Sequence, residues 1–64
     1  MIKINKSNFE KIQGKLNNKE FAEKLGIERT TLWRLKNGAG AGAKVISNFK
    51  KAFPKENISE YFWL

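Results

Sequence analysis

The sequence predicts an all-α domain of five short helices, and three observations predict it. Apolar residues recur three and four positions apart through most of the chain, the period of a helix with one buried face. Capping and breaking residues interrupt that pattern at Ser7, Asn17, Gly26, Asn37-Gly38 and Pro54. The 64 residues include no Cys and no His, so packing must hold the domain without disulfides or the usual zinc ligands. A chain of this length makes one domain, residues 1 to 64, with no linker or internal repeat. Its margin is thin, because a domain this small buries only about 60% of the surface its unfolded chain exposes.

Each element has a local reason. Over residues 1 to 6, Ile2 and Ile4 alternate with Lys3 and Asn5, which suits a short strand or an extended arm. Ser7 and Glu10 have the spacing of a capping box, in which hydroxyl and carboxylate satisfy each other's backbone donors. The first helix follows, with Phe9, Ile12 and Leu16 on one face. Gly14 weakens its end by about 1 kcal/mol relative to Ala. Asn17 and Glu20 repeat the capping-box logic for a second helix over residues 18 to 25. Gly26 stops that helix in the left-handed conformation, and Ile27, apolar in a tight turn, is expected to be buried.

A third helix spans residues 29 to 36 and ends at Asn37-Gly38. The alternating Ala and Gly of residues 39 to 43 form a loop. The fourth helix, residues 44 to 53, carries the core-facing stripe Val45, Ile46, Phe49, Ala52 and Phe53. Pro54 cannot continue it without losing a hydrogen bond. Ile58, Tyr61 and Phe62 suit a short fifth helix capped by Ser59. Phe9, Phe21, Phe49, Phe53 and Tyr61 are the expected aromatic core; stacking of bases on exposed aromatics would require a sheet that the helical pattern does not offer.

The informative stretch is residues 18 to 37. Two helices joined by so short a turn must cross steeply. That crossing needs a small residue where the helices approach, met by Ala22, and a turn residue tolerant of positive φ, met by Gly26. It needs apolar residues between the helices, met by Phe21, Leu25, Ile27, Leu32 and Leu35. Together these spacings indicate a helix-turn-helix; a plain helical hairpin would share the core pattern but would place no demand on the third helix's outward face. At about 100° per residue, Leu32 and Leu35 point inward, while Thr30, Trp33, Arg34 and Asn37 point outward, flanked by Arg29 and Thr31. That face lacks carboxylates and exposes a Trp, which a merely solvated helix rarely does. A helix lying in a DNA major groove wants such a set: Arg pairs with guanine O6 and N7, and Thr bonds a base edge or touches a thymine methyl.

The run Leu16-Asn17-Asn18-Lys19-Glu20-Phe21-Ala22-Glu23-Lys24-Leu25-Gly26-Ile27, followed by Leu32, Leu35 and Asn37-Gly38, resembles the helix-turn-helix of the Cro and phage-repressor family, also called the xenobiotic-response-element family. The resemblance covers about residues 7 to 62 and is most specific over 16 to 38. It implies a five-helix, lambda-repressor-like fold and a sequence-specific transcriptional regulator, a repressor or Cro-like protein of a phage or mobile element. By position it implies that Arg29, Thr30, Trp33 and Arg34 face bases, and that Asn18, Lys19, Thr31, Lys36, Asn37 and Lys44 contact the DNA backbone. Asn18 stands where the family often has Gln. Glu28 stands where it usually has a capping Ser or Thr, and the Gly-Ala loop replaces a basic, Pro-containing one. The glycines of that loop either approach phosphate closely or leave the loop mobile.

Composition agrees and excludes other classes. Thirteen Lys and Arg against six Asp and Glu give a net charge of +7, and the pI near 10.0 is the footprint of a nucleic-acid-binding domain or of a solvated basic surface. Residues 29 to 51 hold six basic side chains (Arg29, Arg34, Lys36, Lys44, Lys50 and Lys51) and no acidic one. No segment approaches the roughly 18 apolar residues of a membrane span. No apolar h-region follows Met1, so no signal peptide and a cytoplasmic location are expected. Without Cys or His no nucleophile–base pair stands out, the carboxylates have capping or surface explanations, and Gly38, Gly40 and Gly42 match no phosphate-loop spacing. The reading therefore expects no enzyme activity, no metal and no cofactor.

The tail is too apolar for one short helix face. Two readings stand: Trp63 and Leu64, with Ile2 and Ile4, form a homodimer contact, or the tail is buried in a monomer. A dimer would read a pseudo-palindromic operator with half-sites about one helical turn apart. A reading from another class makes the chain a protein-interaction module, antitoxin-like or anti-repressor, that uses Trp33 and the aromatic tail.

Overall fold

The computed structural model describes residues 2–64, and Met1 lies outside them. The elements run β1 (Lys3–Ile4), α1 (Lys6–Gln13), α2 (Asn18–Leu25), α3 (Arg29–Lys36), α4 (Ala43–Ala52), a 3₁₀ turn (Ile58–Glu60) and β2 (Phe62–Trp63). The chain is mostly helical, and it also carries a small antiparallel sheet that pairs Lys3 with Trp63 and Ile4 with Phe62. The strand, one of the two expectations for residues 1 to 6, is present at Lys3–Ile4, and the helical expectation is corrected at the other end, where the chain extends as β2.

The expected fifth helix is a single 3₁₀ turn, capped by Asn57 rather than Ser59: Asn57 Oδ1 accepts from the Ser59 N–H at 3.1 Å and the Ser59 hydroxyl at 2.9 Å. Beyond it the backbone extends, because a strand partner is at hand. The Asn5 N–H donates to the Tyr61 carbonyl at 2.8 Å, and strand alternation turns Phe62 inward and Trp63 outward.

β1 explains a second correction. Asn5 leaves the strand in an extended conformation (φ −83°, ψ 94°), so α1 starts at once, with Asn5 Oδ1 accepting from the Asn8 N–H at 3.3 Å. Ser7 lies inside the first turn and is not the cap. Ile4 is buried in the core, which removes it from the expected dimer contact, and Ile2 is half-buried against it. On the other edge of β1, the Ile2 carbonyl accepts from the Ala41 N–H. Ala41 is buried, so the Gly-Ala segment is anchored at its middle.

The remaining starts and stops follow local chemistry. Asn17 and Glu20 form the capping box at α2, with bonds of 2.8 and 3.0 Å. α2 and α3 end in the same way. Gly26 (φ 68°) and Gly38 (φ 97°) take the left-handed region. The next N–H reaches back, from Ile27 to the Ala22 carbonyl at 3.0 Å and from Ala39 to the Arg34 carbonyl at 2.9 Å. Gly14 (φ 59°) likewise stops α1. α4 begins one residue earlier than expected, at Ala43, with Gly42 as an N-cap that has no side chain to donate or accept.

The core is aromatic. Phe9, the only buried residue of α1, meets Phe21 of α2 at 6.0 Å between ring centroids, Phe49 of α4 at 5.4 Å and Phe62 of β2 at 5.5 Å. Phe62, absent from the expected core, is as buried as Phe49, while Phe53 and Tyr61 are half-buried at its rim. Among the described residues no polar or charged side chain is buried. The Tyr61 hydroxyl donates to the Glu56 carboxylate. That bond, then burial, then the charges of Glu56 and Glu60 push its pKa from 10.0 up to about 12.

Two predictions follow from these contacts. Asn5→Ala should destabilise the domain by about 1 kcal/mol in urea unfolding, whereas Ser7→Ala should stay within about 0.5 kcal/mol. The raised pKa favours the protonated, folded form. Its contribution is fully present below pH 10 and is lost as pH climbs through about 12. The stability difference between the wild type and Tyr61→Phe should therefore shrink over that window.

Candidate functional site

α3 is joined to α2 by only Gly26, Ile27 and Glu28. The interface between these helices contains Phe21, Ala22, Leu25, Leu32 and Leu35, all buried, with Ile27 half-buried beside them. α4 braces the turn: Asn48 Nδ2 donates to the Gly26 carbonyl at 3.4 Å. α3 is thus fixed at its start by the glycine turn and at its end by Gly38.

With Leu32 and Leu35 inside, the side chains of Arg29, Thr30, Trp33, Arg34 and Asn37 are exposed. Trp33 is 63% exposed, too open for a core or rim role. The four residues expected to face bases therefore share one open surface. Glu28, at the N-cap, makes no side-chain cap bond; its carboxylate accepts instead from the Thr30 hydroxyl at 3.4 Å. A carboxylate thus borders this face at its N-terminal edge, where it suits the helix dipole.

The residues expected at the DNA backbone fall into three places. Thr31, half-buried, and Lys44, exposed on the first turn of α4, line one shallow pocket with Gly26, Ile27, Glu28, Val45 and Asn48. Asn18 and Lys19 open α2. Lys36 turns away from the open face toward them: its ammonium donates to Asn18 Oδ1 at 2.9 Å and to Gln13 Oε1 at 2.5 Å. Asn37 has a helix-closing bond, Nδ2 donating to the Trp33 carbonyl at 2.8 Å.

Sequence reasoning missed Gln13 and Asn48. Each is a polar residue beside a glycine turn, but nothing local marks its partner. It also missed Lys3, whose ammonium lies 3.8 Å from where a Cβ on Gly38 would stand, at the C-terminal end of α3. The tail residues Trp63 and Leu64 are 63% and 77% exposed. Because Trp63 pairs with Lys3, they sit near that same end of α3. Among the described residues no cluster of metal-binding side chains occurs, and no helix is long and apolar enough to cross a membrane.

The missing cap at Glu28 gives a direct expectation. Glu28→Ser supplies an oxygen for the free amides of the first turn and should raise stability by about 0.5–1 kcal/mol, measured by urea unfolding.

In comparison with known proteins, no family model, no curated protein and no solved structure matches the chain.

Proposed function

We propose that this chain is a sequence-specific, double-stranded-DNA-binding transcriptional regulator of the Cro and phage-repressor kind. In this reading α2 and α3 form a helix-turn-helix, and α3 enters the major groove. One observation carries it: the exposed surface of α3 consists of Arg29, Thr30, Trp33, Arg34 and Asn37, held on a helix whose inner side is locked by Leu32 and Leu35. Arg29 and Arg34 read guanine, Thr30 reads a base edge, and Trp33 packs on thymine methyls and sugars. Asn18, Lys19, Thr31, Lys36 and Lys44 grip phosphates on either side, and Asn37 closes the helix beside them.

The regulator acts in the cytoplasm and reads a pseudo-palindromic operator as a homodimer. The dimer contact lies at Trp63 and Leu64, the two exposed apolar side chains near the end of α3. Two such residues per copy make a small patch, below the roughly 1,000 Å² that a stable interface buries, so pairing occurs on the DNA. Repression by this route needs no further surface, because the bound regulator itself occludes promoter sites.

A second reading rests on the same exposures. Trp33, Trp63 and Leu64 would dock a protein partner, as in an antitoxin-like or anti-repressor module.

Selection from a pool of random duplexes at two salt concentrations tests the proposal. An enriched palindrome with half-site centres about 10 base pairs apart, bound less tightly as salt rises, supports it. No duplex binding at low salt overturns it in favour of a protein partner. On the selected site, Arg29→Ala should cost about 1–3 kcal/mol and relax specificity at one base. Lys44→Ala should weaken all sequences alike and lower the salt slope by about one. Equal losses on cognate and random duplex for both variants would remove Arg29 as a base reader.

A further inference from the structure

Gln13 is the last residue of α1, Asn18 the first of α2 and Lys36 the last of α3. Their side chains close a ring. Lys36 Nζ donates to Gln13 Oε1 at 2.5 Å and to Asn18 Oδ1 at 2.9 Å, and Gln13 Nε2 donates to Asn18 Oδ1 at 3.0 Å. The second hydrogen of the Gln13 amide goes to the Leu16 carbonyl at 2.8 Å, which fixes the amide's orientation. Gln13 is half-buried, so its side chain is also held by packing.

Both acceptors of the Lys36 ammonium are neutral amide oxygens. A carboxylate in either place would anchor the lysine as well and would cancel its charge. Three helix ends are therefore tied together in a way that orders Lys36 without placing an opposite charge on it. An ammonium has three donors, and the ring uses two of them. A free lysine loses its rotamer freedom when it grips a phosphate; one already held loses less.

We infer that Gln13 is a positioning residue that holds the Lys36 ammonium, still charged and with a donor to spare, for a phosphate of the DNA backbone. The inference rests on the DNA-binding reading above. Gln13 acts through Lys36 and, unlike the readers on α3, has no influence on which sequence is bound.

The test compares wild type, Gln13→Ala, Lys36→Met, the double variant and Gln13→Glu. Each is measured on the selected site and on random duplex across a salt series, with urea unfolding to establish that every variant is folded. Lys36→Met keeps the apolar stem and should lower the salt slope by about 0.9. Gln13→Ala should weaken both duplexes by about 3- to 10-fold with the slope unchanged, because the charge remains but is no longer held. That loss should vanish in the Lys36→Met background, since Gln13 then has nothing to position. Gln13→Glu keeps the bond to Lys36 but cancels its charge, so the slope should fall by about 0.9 without loss of stability. A purely structural tie predicts a wild-type slope for Gln13→Glu and a Gln13→Ala effect that persists without Lys36; either result overturns the inference while the DNA reading stands. A wild-type chain that binds no duplex at low salt overturns both.

Discussion

The fold depends on one aromatic contact set, the edge and face packing of Phe9 with Phe21, Phe49 and Phe62. Phe9 is the single buried residue of α1, so its ring is that helix's main anchor in the core, with Ile12 packed beside it. Its neighbours come from α2, α4 and β2, and Phe49 also meets Phe62 edge-on at 5.3 Å. Aromatic pairs have preferred geometries, so the cluster fixes relative orientation as well as burying area. This matters in a domain without a buried polar network, disulfide or metal ligand cluster among its described residues. Shape must choose one packing of the helices, and the preferred geometries of the phenylalanine pairs restrict that choice.

From that cluster, orientation is passed outward to α3. Phe21 sets α2, the glycine turn sets the crossing, and Leu32 and Leu35 seat α3 against α2. The far end is secured independently. β1 lies between β2 and Ala41, so the segment after α3 is tied to the chain's two ends a few residues beyond Gly38. A helix held at both ends presents its outer side chains in a fixed frame. The sheet is small, but it turns a bundle of short helices into a platform.

The legible parts of this structure are those decided within four or five residues. Asn17, Glu20, Gly26 and Gly38 carry their own instructions, because a capping oxygen or a positive φ is a local matter. The face of α3 was legible for the same reason, since helical period alone separates Leu32 and Leu35 from Arg29, Trp33 and Arg34. What could not be read involves partners from opposite ends of the chain. Ile2 and Ile4 read as a strand or an extended arm, and Phe62 as part of a helix; only the pairing of Ile4 with Phe62 decides both. The cap of α1 shows the dependence plainly. Asn5 and Ser7 are both good caps, and the choice falls to Asn5 because β1 pairing fixes the backbone there. Lys36 is a related case: in the sequence it is one more charge in a basic window, and its bonds to Gln13 and Asn18 appear only when three helix ends meet.

The same logic separates what the tail does for the fold from what it leaves open. Phe62 completes the aromatic cluster, and Tyr61 anchors the approach to it through Glu56. Strand alternation then requires the next side chain to leave the core, whatever it is. A polar residue opposite Lys3 would satisfy every structural demand there, and Leu64 beside it is 77% exposed. Trp63 and Leu64 are therefore not explained by packing within one copy of the chain. Trp33 stands in the same position on α3, where Leu32 and Leu35 already meet the needs of the core. The fold thus separates its apolar residues into those that hold α3 in place and three, Trp33, Trp63 and Leu64, that it leaves exposed.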